Sequence, residues 1–108
     1  MDKSASVSSV FCRRLKEARL SAGYTQAELG VLCGLAVEVS SARINQYERG
    51  VHEPKSSFVA RLAEVLELSP GYFYEPRDEL ADLFVLLSRL DKFQLKEIGL
   101  FISLKDAR

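Results

Sequence analysis

The sequence predicts an all-α protein, a helical bundle followed by a two-helix appendage, and three observations lead there. Apolar residues recur at helical spacing, as in Val59, Leu62, Ala63 and Leu66, which stand at i, i+3, i+4 and i+7. Helix-start pairs (Thr25 with Glu28, Asp91 with Gln94) and glycine stops (Gly23, Gly34, Gly50) divide the chain into segments of helical length. No segment shows the alternation of period two that a half-buried strand requires. Hydrophobic residues make up 47% of the 108 and charged residues 28%, so a packed core can form and wholesale disorder is excluded.

Residues 1–8 are small and polar and are expected to form a flexible arm. A first helix over about 8–22 presents Phe11, Leu15 and Ala18 on one face and stops at Gly23. A second begins at Thr25, whose hydroxyl accepts the Glu28 backbone N–H while the Glu28 carboxylate reaches back. It runs to Cys33, with Leu29, Gly30 and Cys33 inward and Gly30 admitting a neighbouring helix closely. Ser40 or Ser41 is read as the cap of a third helix, over about 41–48, which Gly50 terminates; before Tyr47 its one strongly apolar residue is Ile44. Such a helix is anchored at one point and offers the rest of its surface outward. Ser56 or Ser57 is expected to cap the fourth helix. The aromatic run Tyr72-Phe73-Tyr74 is read as a plug between bundle and tail. Two further helices, over about 78–89 and 92–105, carry more apolar surface than two surface helices can bury on one side each.

Net charge is zero but unevenly placed: 11–55 holds seven basic and five acidic residues, 56–108 seven and nine. That excludes a binder of nucleic acid by bulk charge alone, whose pI would exceed about 9. The apolar runs fall short of the roughly 18 residues of a membrane span, and the first residues lack the apolar stretch of a secretory signal, so a cytoplasmic protein is expected. Cys12 and Cys33 lie in different predicted helices without metal-ligand spacing and are read as reduced thiols. His52 is a lone loop histidine. Glu64, Glu67, Glu75, Asp78, Glu79 and Asp82 have no nucleophile or metal partner and are assigned to solubility. The chain is therefore not expected to be an enzyme, nor to hold a cofactor or metal.

Several segments together carry a resemblance: R-R-L-K-E-A-R from Arg13, G-Y-T-Q-A-E-L from Gly23, C-G-L from Cys33, I-N-Q-Y-E-R-G from Ile44, Pro54, and V-A-R-L-A-E-V-L-E-L-S-P from Val59. In this order and spacing, over about 10–75, the sequence resembles the Cro/C1-type (XRE-like) helix-turn-helix family. The resemblance implies a lambda-repressor-like five-helix DNA-binding bundle over 9–75. In it the third helix lies in the major groove and the second crosses the backbone. By the same resemblance Gln26 contacts phosphate and a neighbouring base, and Ser41, Ala42, Arg43, Asn45 and Gln46 read bases. Their chemistry suits base edges, with Arg43 for guanine O6/N7, Asn45 or Gln46 for adenine, and the Ala42 methyl for thymine. Arg49, Lys55 and the Tyr47 hydroxyl are expected at phosphates, and Arg13 and Lys16 are weighed between phosphate contact and plain solubility. Arg19 and Glu48 stand where the family commonly buries an ion pair.

The chain departs from the family in about four added residues, Ala36-Val37-Glu38-Val39, ahead of the reading helix. They are expected to lengthen the turn or add a helical step, with Val37 or Val39 packing near Val31 and Leu32. The function expected is a repressor that binds a palindromic double-stranded DNA operator as a homodimer, paired through the helices of 76–108. Two alternatives stay open. One is an antitoxin whose tail also binds a toxin protein; the other is a protein-interaction adaptor that reads no DNA.

Overall fold

A computed structural model describes residues 7–106. Its helices are α1 (Val7–Ala22), α2 (Gln26–Leu32), α3 (Val37–Arg49), α4 (Ser56–Leu66), a 3₁₀ helix (Pro70–Tyr74), α5 (Asp78–Leu87) and α6 (Lys92–Asp106), with no strand among the described residues. Of the expected arm, residues 1–6 lie outside the described residues, whereas positions 7 and 8 already belong to α1.

The core forms where α1, α2, α3, α4 and the 3₁₀ helix converge. Leu15, Leu29, Ile44, Leu62 and Phe73 are completely buried there. Each such side chain contributes about 1.5–3 kcal/mol of hydrophobic stabilisation. The predicted α4 stripe is buried along its length, at Val59, Leu62, Ala63 and Leu66. Its cap differs from expectation: Lys55 occupies the N-cap without a side-chain hydrogen bond, and Ser56 and Ser57 are already helical. The fifth member of the bundle is the 3₁₀ helix, begun by Pro70 and held by the Ser69 hydroxyl, which accepts the Gly71 N–H. It drives Tyr72 and Phe73 inward, the latter 5.4 Å from the Phe11 ring, and leaves Tyr74 exposed. The plug read from the sequence thus consists of two of the three aromatic residues.

An arginine latch joins the bundle to α5. Arg14 is buried and donates to the Glu75 and Pro76 carbonyls at 2.9 and 3.2 Å and to the Asp78 carboxylate at 3.0 Å. Arg13 reaches the same carboxylate at 3.1 Å. Asp78 is therefore structural, not the plain solubilising charge the sequence suggested, and Arg13 is committed to Asp78 and Glu17. α5 returns Ala81 to the core and lays Phe84 against Gly71.

α6 is different. It opens on a reciprocal cap, Gln94 N–H to Asp91 at 2.8 Å and Asp91 N–H to Gln94 at 3.0 Å, as the sequence predicts. Yet it buries no side chain. Phe93, Leu95, Ile98, Leu100, Phe101, Ile102 and Leu104 are all exposed. The radius of gyration, 15.7 Å, accordingly exceeds the roughly 13 Å of a compact chain of this size.

Candidate nucleic-acid interface

α2 begins as its sequence dictates. Thr25 is the N-cap; its hydroxyl accepts the Glu28 N–H at 3.0 Å, and the Glu28 carboxylate accepts the Thr25 N–H at 2.8 Å. Leu29 and Gly30 turn inward. Opposite them lies Ser40, fully buried, whose hydroxyl donates to the Ala27 carbonyl at 2.6 Å. A Cβ at residue 30 would overlap the Ser40 hydroxyl and stand 2.9 Å from its Cβ. The glycine thus lets α3 cross α2 almost backbone to backbone.

This contact corrects two expectations. Neither Ser40 nor Ser41 caps α3, because Ser40 spends its hydroxyl on α2; the N-cap is Ala36, in extended conformation and without a side-chain bond. The added residues therefore take the helical alternative, one more turn at the start of α3. Val37 and Val39 are 73% and 41% exposed, and Val31 and Leu32 are exposed too. None of these four residues is buried by the packing expected among them.

At its other end α3 stops at Gly50, whose φ of 77° is left-handed and suits glycine. Ser40, Ile44 and Tyr47 form the inward row at i, i+4 and i+7. Ala42, Asn45 and Arg49 follow the opposite side of the helix. Arg43 and Gln46 flank them and line a groove closed by Leu35, Tyr47, His52, Glu53, Lys55, Ser57 and Phe58. His52 and Ser57 were not singled out by the sequence as site residues; they join the groove because the loop after Gly50 folds back toward α3.

A hydrogen-bond network holds the outward side chains. The Arg19 guanidinium grips the Glu48 carboxylate at 2.6 and 3.1 Å and donates to the Tyr24 carbonyl at 2.9 Å, which is the ion pair the resemblance implies. The Gln26 amide nitrogen donates to Glu48 at 3.1 Å and to the Asn45 side-chain oxygen at 3.2 Å. Asn45 is thereby oriented from α2, with its amide nitrogen left as a donor toward the outside.

Of the predicted site residues, Ser41, Ala42 and Arg43 are exposed, Asn45, Gln46 and Gln26 half-buried, and Arg49 and Lys55 exposed at helix ends. Tyr47 stands apart: it is 7% exposed, its ring 5.4 Å from Phe58. It is foremost a core residue, and only its edge reaches the groove. Among the described residues Arg43, Arg49 and Lys55 enter no ion pair, so their charge is available to an anion. Cys33 is buried and its thiol is pushed up to about 11 by desolvation, which suits an inert packing residue; both cysteines are free thiols. Among the described residues no three His, Cys, Asp or Glu side chains are grouped to hold a metal ion.

A pair of crossed helices, one anchored by three residues and bearing exposed polar side chains, is the geometry of a helix-turn-helix. A helix-turn-helix family model matches residues 15–73, more than half of the chain. The fold is also similar to a solved structure described as the crystal structure of transcriptional regulator BswR. That chain is 44% identical, with a TM-score of 0.79, and the match covers 86% of this chain and 92% of the other. No curated protein matches the sequence. The family match and the crossed helices agree with the motif order read from the sequence, and the chain belongs to the Cro/C1-type (XRE) helix-turn-helix family.

Proposed function

We propose that this chain is a sequence-specific, double-stranded-DNA-binding transcriptional regulator of the cytoplasm. It acts as a repressor, occupying a palindromic operator as a homodimer with α3 in the major groove. The observation that carries this reading is the division of α3. Its inward row is sealed in the core, while Asn45 is braced by Gln26 and faces outward beside Ala42, Arg43 and Gln46. Donors of this kind on a fixed helix match base edges, and the exposed cations Lys55 and Arg49 suit phosphates. Similarity to a transcriptional regulator over most of both chains supports the same assignment.

Few cations serve this face, because Arg13, Arg14 and Arg19 are paired with carboxylates of the chain itself. Binding energy must then come from two half-sites at once, about 34 Å apart on the duplex. α6 supplies a reason to pair. A helix apolar most of the way round is unstable in water unless covered, and a second copy of α5 and α6 would cover it symmetrically. That α6 is apolar on several faces also favours, as a second reading, an antitoxin whose tail binds another protein.

The test is selection of duplexes from random DNA, with sedimentation of the free protein. Enrichment of an inverted repeat by a dimer supports the proposal. A protein that enriches no sequence is an adaptor and not a reader.

A further inference from the structure

The added turn of α3 changes which residues stand at the tip of the reading helix. Base contacts in a helix-turn-helix are made mainly by the N-terminal residues of its second helix. Here that helix begins at Val37, not at Ser41. Helical spacing puts Glu38 in the same outward row as Ala42, Asn45 and Arg49, and Val39 in the row of Arg43 and Gln46. Both rows of expected readers therefore continue one turn further toward the tip.

We propose that Glu38 and Val39 read bases, so that each half-site is longer by the step they cover. This rests on the DNA-binding function proposed above. Val39 is a 41% exposed isopropyl group beside two polar readers. In the major groove its match is the thymine C5-methyl. Glu38 is exposed and in no ion pair among the described residues. Against a phosphate its charge repels, so on DNA the favourable place for its carboxylate is the groove floor, where cytosine N4 donates. From Glu38 to Asn45 is seven residues, about 10 Å along the axis, or roughly three base-pair steps. A purely structural role for Glu38, favouring the helix N-terminus through the backbone dipole, would leave sequence preference untouched.

The experiment uses the full chain and the duplex it enriches from random DNA. Each thymine is replaced in turn by deoxyuridine, which removes only the methyl group. The expected result is about fourfold weaker binding at one thymine per half-site. Val39→Ala binds the thymine and uracil duplexes equally. A second selection with Glu38→Gln is expected to lose one cytosine from the consensus while affinity for random duplex holds or rises. Indifference of the parent protein to uracil at every thymine overturns the assignment of Val39, and an unchanged Glu38→Gln consensus overturns that of Glu38. If the parent enriches no sequence, the DNA-reading function itself fails, and this assignment with it.

Discussion

Gly30 and Ser40 meet where α2 crosses α3, and at Gly30 there is no room even for a Cβ. The crossing fixes the height at which α3 stands above the bundle, so the two residues set the presentation of every outward side chain. Gly30→Ala forces the helices apart and is expected to cost about 1–3 kcal/mol in urea unfolding. A midpoint unchanged from the parent would mean that the crossing relaxes freely.

Arg19 and Glu48 have side chains 9% and 3% exposed and pair through two bonds. Arg19→Ala leaves a buried carboxylate with only Gln26 for company. The expected loss is about 3–5 kcal/mol, read from denaturant unfolding. Loss below about 1 kcal/mol would show that water replaces the guanidinium.

For DNA, Asn45→Ala is expected to weaken operator binding by about 1–3 kcal/mol and to relax preference at one base pair per half-site. Gln26→Ala should do part of the same, because it frees Asn45 to rotate, and should leave the salt dependence unchanged, since a neutral amide displaces no counterion. Equal binding by both variants and the parent would remove the Gln26–Asn45 pair from the reading surface.

Asp78 gives a pH signature. Hydrogen bonds from Arg14 first and then Arg13 hold its carboxyl below the usual 3.8. A depressed folded-state pKa means stabilisation present above the unfolded value and lost as pH falls through the folded one. The start of α5 should therefore loosen only in strong acid, below about pH 4. Asp78→Asn should remove that part of the acid response, which carboxyl chemical shifts and melting against pH would report. Parent and variant with superimposable acid limbs would show that the latch carries no linkage.

Leu100 and Phe101 are exposed at 62% and 60%, so charge placed there leaves the bundle alone. Leu100→Asp with Phe101→Asp is expected to convert a dimer to a monomer in sedimentation, with unchanged melting of the bundle. A parent chain that is already monomeric would move the burden of α6 to a different protein.

Much of this was legible in the sequence because the signals are local. Thr25 with Glu28 and Asp91 with Gln94 each close a cap within four residues, and the α4 stripe needs nothing but its own spacing. Arg19 and Glu48 are far apart in sequence, and it was the family resemblance that paired them. What escaped depends on partners supplied by the fold. Ser40 has the look of an N-cap, but its hydroxyl finds the Ala27 carbonyl because Gly30 lies opposite. Val37 and Val39 are β-branched and weak helix formers, so a longer turn and an added helical step both stayed open in the sequence; with Ser40 and Ile44 docked in the interior, the segment is helical. Arg14 sits among ordinary surface charges in the sequence, and only the bend at Glu75–Pro76 brings its three distant acceptors to it.

That bend has a further consequence. With two carbonyls and a carboxylate closing on Arg14, the bundle cannot swivel freely on α5. Two copies paired with α5 held in the seam would then behave as a caliper of fixed span. A single base pair inserted between half-sites rotates one of them about a tenth of a turn away from its helix. The regulator should reject it, whatever the inserted base, and Arg14 would be the residue that makes the caliper rigid.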